Sequence, residues 1–177
     1  MRVGIPENIP NEFLIEWAIG HFLKNFSSLE TAMTFWITIA IDPLHPVYGH
    51  VAVRDTNFMH KVRLVDFLLK KNMSYGADWR SHRKSLVKIN DLRNRLAHGA
   101  IEFCKGPDDC LDYIELTVPS ADGLYFDKRI QFSFHDVNNI CIGIYMLTSI
   151  FMNHAESHER RINSKRRSPA EEKAQED

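Results

Sequence analysis

Polar groups in the stretch Lys88-Ile89-Asn90-Asp91-Leu92-Arg93-Asn94-Arg95-Leu96-Ala97-His98-Gly99 occupy positions that a helix would bury. At about 100° per residue, Leu86, Ile89, Leu96 and Ala97 share one side of a helix. Arg93 falls in the middle of that side, while Asn94 and His98, four apart, share a neighbouring one. A guanidinium among aliphatic groups is costly unless an anion meets it, so Arg93 requires a partner. Glu30 is equally out of place in the apolar series Phe26, Met33 and Ile37. We expect a buried Glu30–Arg93 pair, which either fixes the arginine's orientation or only staples two helices together. By itself, His98 reads as a helix-end histidine that satisfies the last carbonyls and suits the helix dipole.

Other reactive residue types are less suggestive. His154 and His158 stand four apart, a spacing that can chelate zinc, but neither a His-Glu-x-x-His pattern nor a third ligand accompanies them. No metal and no cofactor are expected. Cys104 and Cys110 flank a turn without a paired base and make no case for a nucleophile. His45 and His50 belong to the loop segment His45-Pro46-Val47-Tyr48-Gly49-His50, where they either face a cleft or, like most loop histidines, do nothing chemical.

The elements that must position these groups are mostly helical. Pro10 and Asn11 open a helix reaching Ile41, with Phe22, Phe26, Leu29, Met33 and Ile37 at helical spacing, and Asp42-Pro43 stops it. A loop carrying Pro43, Pro46 and Gly49 follows. Asp55 or Thr56 caps a second helix from Asn57 to Asn72, whose buried side is Val62, Val65, Leu68 and Leu69. Gly76 interrupts the pattern, and a third helix runs from Ala77 to His98, closed by Gly99. The short β-forming runs Ile101–Lys105, Tyr113–Val118 and Ile130–Phe134 predict an antiparallel insertion over about 100–134. Asp136 caps a fourth helix from Val137 to Arg161. Its Ile140–Met152 portion is apolar around much of its circumference, as in a helix central to a bundle or shared with a second subunit. Residues 162–177 are polar and aperiodic, and predict a disordered charged tail after a single domain over 1–161.

Composition bounds the function. A net charge of −1 argues against coating a polyanion over the whole surface. Locally, Arg80, Arg83, Lys84, Lys88, Arg93 and Arg95 face one acid, Asp91. That excess suits either a nucleic-acid contact or a plain solvated face, and Tyr75 and Trp79 nearby suit either base stacking or packing. Three cysteines at irregular spacing favour a reducing cytoplasm. We read no signal peptide, and no apolar run reaches the ~18 residues needed to span a bilayer, so no membrane partner is expected.

The segment Arg93-Asn94-Arg95-Leu96-Ala97-His98 resembles the RNxxxH signature of the HEPN (higher eukaryotes and prokaryotes nucleotide-binding) superfamily. The helix-end setting of the motif agrees with that resemblance. It implies a mainly α, HEPN-like four-helix bundle, here with a short antiparallel β-insertion between helices 3 and 4. It also implies a homodimer that brings two motifs together across a cleft, and an endoribonuclease that needs no metal. In such an enzyme His98 is the general acid or base for attack by the ribose 2′-hydroxyl. Arg93 holds the scissile phosphate and Asn94 positions one of its oxygens. Lys88 and Arg95 are the expected RNA contacts and Glu30 the supporting residue. The partners so implied are RNA or a nucleotide, a second copy, and a cognate antitoxin if the protein is a toxin or defence effector. Many HEPN-like domains are instead non-catalytic modules binding a nucleotide, RNA or protein.

Overall fold

A computed structural model describes residues 13–42, 44–71, 76–98, 100–105, 111–119 and 126–173. They are mainly helical, forming α1 (Leu14–Ile41), α2 (Pro46–Arg54), α3 (Phe58–Lys71), α4 (Gly76–His98) and α5 (Phe134–Lys173). Three strands lie between α4 and α5: β1 (Ala100–Lys105), β2 (Leu111–Pro119) and β3 (Phe126–Ser133). They form one antiparallel sheet in the order β1-β2-β3. Its register aligns Ile101 with Leu116 and Leu116 with Ile130; the next apolar row is Phe103, Ile114 and Phe132. The period-two apolar pattern of the three segments is therefore in phase. No helix among the described residues is long and apolar enough to cross a membrane.

The fold divides into two compact units, Met1–Ser27 with Lys84–Met146, and Ser28–Arg83 with Leu147–Asp177. In the first, Ala18, Phe22 and Phe26 of α1, Leu86, Ile89 and Leu92 of α4, and Cys141 and Ile144 of α5 are buried. Burial raises the Cys141 thiol to a pKa of about 11, so it is a packing residue at neutral pH. In the second, the buried set includes Leu29, Met33, Trp36 and Ile37 of α1, Val62 and Val65 of α3, Trp79 of α4 and Phe151 of α5. Phe151 meets both tryptophans in T-shaped contacts, with ring centroids 6.2 Å from Trp36 and 6.5 Å from Trp79. The Trp79 indole N–H donates to Asp66 at 2.8 Å, beside a Lys70–Asp66 ion pair of the same length. These bonds, that from Lys70 first, hold the Asp66 carboxyl below the usual carboxylate range. Trp79 is thus a packing residue; Tyr75 lies outside the described residues.

Several sequence-based boundaries shift. The expected loop after Asp42 contains α2, making five helices among the described residues where four were expected. Pro46 is its first residue, where a missing N–H and a preset φ favour a helix start. Asp42 steers the chain into it, its Oδ1 accepting from the backbone N–H groups of Leu44 (3.0 Å) and His45 (2.9 Å). Asp55 and Thr56 close α2 rather than cap the next helix: the Thr56 hydroxyl and N–H both donate to the Val53 carbonyl. Asn57 caps α3 instead, its Oδ1 accepting from the His60 N–H at 2.8 Å. α5 starts at Phe134, so Asp136 lies in its first turn, where a carboxylate complements the helix dipole, and not at its cap. At its other end α5 continues to Lys173, past the Arg161 end expected for the last helix. Lys, Arg, Glu and Ala have high intrinsic helix propensity without an apolar period. Residues 174–177 of the expected tail, and residues 10–12 of the expected first helix, lie outside the described residues.

Gly49 explains how so short a helix is seated. A Cβ built there would lie 2.6 Å from the Thr38 carbonyl oxygen of α1, so only glycine permits this backbone approach. Gly20 in α1 and Gly143 in α5 would meet nothing within 4 Å. Gly49→Ala is therefore expected to lower unfolding stability by about 1–3 kcal/mol. Gly20→Ala, in a helix interior, should raise it by roughly 0.5–1 kcal/mol. Urea denaturation of both variants checks the pair.

Candidate functional site

Arg93 sits in the penultimate turn of α4. The buried side of this part of the helix is Leu86, Ile89 and Leu92, with Leu96 half-buried and Ala97 exposed. Arg93 therefore lies on the flank of the apolar stripe and not in its middle, and is itself half-buried. Leu92, outside the expected set, rotates the packed face away from Ala97. This flank position lets an arginine bury its stem while its head stays within reach of solvent.

The guanidinium is met by an aromatic face. Its Cζ stands 5.8 Å from the centroid of the Phe26 ring of α1. Phe26 is buried and neighbours Phe22 one turn away, with ring centroids 6.4 Å apart. The Arg93 Nη1 group also donates to the Asn94 side-chain oxygen at 3.2 Å. Among the described residues no carboxylate pairs with Arg93. The expected Glu30–Arg93 pair is not formed; Glu30 is taken by a residue outside the candidate set.

That residue is Lys61 of α3, whose Nζ lies 2.9 Å from Glu30 Oε1 and which is only 4% exposed. Its sequence signal was present: Phe58, Lys61, Val62 and Val65 follow the i, i+3, i+4, i+7 spacing of a buried stripe. A lysine in that series needs an anion for the same reason that Arg93 does. Glu30, with its stem in the core series of α1 and its carboxylate half-exposed, supplies it.

The other candidates are placed as follows. Asn94 is exposed and bonded to Arg93. Arg95 is drawn back by Asp91 one turn earlier, at 2.9 Å, so its charge is met within its own helix. Lys88 and Lys84 are exposed. Five residues of helix turn Lys88 about 140° from Arg93, so the basic run does not converge on it. Arg80 and Arg83 are also exposed, as a solvated helix face would have them. His98 is the last residue of α4, and its side chain lies outside the described residues.

No group of three or more His, Cys, Asp or Glu side chains among the described residues is placed to hold a metal ion. Of the helical histidine pair, His154 is half-buried, and burial lowers its pKa below the ordinary imidazole value. The arrangement at Arg93 provides a cation fixed by an aromatic ring and a neutral amide, partly open to solvent. Such a group can bind an anion, and its planar fork suits phosphate or carboxylate oxygens. No family model matches the chain, and no curated protein and no solved structure is significantly similar to it.

The two cations predict different responses to loss of charge. Glu30→Gln leaves Lys61 buried without its counter-ion and should cost on the order of 1–3 kcal/mol of unfolding stability. Adding Lys61→Met to that variant should restore stability to within about 1 kcal/mol of the parent. Chemical denaturation of the two variants reads both changes; a neutral Glu30→Gln would show that the pair is not structural.

Proposed function

We propose that the protein is an endoribonuclease of the HEPN type, cleaving RNA without a metal through Arg93, Asn94 and His98. The observation that carries this reading is the state of Arg93. Among the described residues its charge rests on a ring and an amide and not on a carboxylate, on a half-buried flank five residues before the histidine that ends α4. A structural staple spends its charge on a carboxylate, as the buried Lys61 does on Glu30.

In the proposed reaction the ribose 2′-oxygen attacks the adjacent phosphorus. The P–O2′ bond forms, the P–O5′ bond breaks, and the proton leaves the 2′-hydroxyl for an imidazole of His98 acting as general base. A proton delivered to the 5′-oxygen completes the step, leaving 2′,3′-cyclic phosphate and 5′-hydroxyl ends. Two copies of the motif, one from each protomer of a HEPN-like homodimer, supply both proton transfers. Arg93 neutralises charge that develops on the non-bridging oxygens, and Asn94 orients one of them. Lys88 and Lys84, on another face of α4, engage RNA only away from the scissile group, and Arg95 does so only by leaving Asp91.

A protein-binding reading is favoured by a different observation. In the nine-residue α2, Val47 and Tyr48 are each 71% exposed and Val51 61%, with Leu44 beside them at 54%. Large side chains left outward on one short helix are typical of interaction surfaces. On this reading the face seats a second copy, since its rim acids are already engaged, Asp42 by the backbone N–H groups of Leu44 and His45 and Asp55 by Arg54.

Purified protein should cleave a structured RNA in EDTA, leave the matching DNA intact and yield 2′,3′-cyclic phosphate ends. His98→Ala should slow cleavage by about 10²–10⁴-fold and Arg93→Ala by about 10²–10³-fold. Absence of cleavage by the parent protein across several RNAs would reject the enzyme. For the apolar face, sedimentation equilibrium should show a dimer that Val47→Asp with Val51→Asp converts to monomer; a parent protein monomeric at tens of micromolar (~10⁻⁵ M) would reject self-association there.

A further inference from the structure

We infer that Phe26 is the positioning residue of the Arg93 site: its ring face sets the guanidinium in place for an anionic phosphodiester while leaving its full charge available. The inference rests on the reading of Arg93 as a phosphate-binding group and extends it to a residue on another helix. An arginine side chain has many rotamers, and an anion that must order it loses affinity in doing so. Here two contacts order it beforehand. The ring of Phe26, 5.8 Å from Cζ, supports the head from one side, and the bond from Nη1 to Asn94 Oδ1 restricts rotation of the fork. Of the five N–H donors of a guanidinium, that bond uses one.

The choice of support matters electrostatically. A carboxylate in this place would cancel the positive charge and fill the edge of the fork. An aromatic face attracts the cation through its quadrupole and carries no net charge, so the bound arginine remains a monocation. Phe26 suits the role because it is itself immobilised, 5% exposed within the α1 series that also buries Ala18 and Phe22. In α1 it combines a core position with contact to a half-buried cation of the candidate set that has no acidic partner among the described residues.

The test replaces Phe26 with 4-fluoro- and 3,4,5-trifluorophenylalanine, which weaken the ring's negative face with little change of shape, beside Phe26→Leu and Arg93→Ala. Thermal unfolding shows that each variant is folded. Nitrogen NMR of the Arg93 guanidinium measures rotation about its Nε–Cζ bond. Binding of an uncleavable 2′-O-methyl oligoribonucleotide, with its salt dependence, measures phosphate engagement. Rotation that speeds up stepwise with fluorination, together with a threefold to tenfold loss of affinity at unchanged melting temperature, is the expected result. Rotation unaffected by fluorination overturns the inference. So does affinity that Arg93→Ala abolishes but fluorination leaves intact. Faster rotation with no effect on binding from any variant, Arg93→Ala included, overturns the ribonuclease reading and leaves the aromatic clamp standing.

Discussion

A cation on the packed side of a helix has to be compensated, and the way this is done for Lys61 and Arg93 governs the rest of the structure. Lys61 is almost wholly removed from water and is matched by the Glu30 carboxylate. That pair cancels itself and serves the packing of α1 and α3. Arg93 is only half removed from water and rests on the Phe26 ring. A half-desolvated guanidinium, weakly hydrated and planar, tolerates that support more readily than a strongly hydrated ammonium. One cation is spent on the core, and the other is held, among the described residues, without a carboxylate.

Helix periodicity gives this division a geometric consequence. In α4 the buried residues Leu86, Ile89 and Leu92 leave Lys84 and Lys88 facing solvent on another side, where Asp91 and Arg95 pair. The local excess of basic residues is therefore distributed around the helix and not focused at Arg93. Any long-range attraction of a polyanion to this helix and any close grip on a single phosphate would fall to different residues.

Close packing of backbones is the other determinant. Gly49 lets α2 lie against the Thr38 carbonyl, and Val53 anchors the helix in the core. A helix of nine residues held by so small a contact turns its remaining large side chains outward. Val47, Tyr48 and Val51 are exposed for this reason, and not because their composition is polar.

The amino-acid sequence by itself determined the mainly helical class, the approximate spans of α1, α3 and α4, and the apolar series of α1, because these depend on local periodicity and stop signals. It also marked Glu30 and Arg93 as charges set among apolar neighbours. It did not reveal their partners. The spacing that placed Arg93 on an apolar side applied equally to Lys61, and nothing local could decide which cation would claim the Glu30 carboxylate of α1. Pro46 and Gly49 read as loop punctuation because their roles, a helix start and a backbone contact, are defined by what lies across from them. The cap at Asn57 was obscured by two adjacent residues of equal capping propensity. Tertiary structure decided these points: ion pairing, aromatic support and backbone approach join residues distant in the chain, and their energies depend on distance and burial that no local pattern encodes.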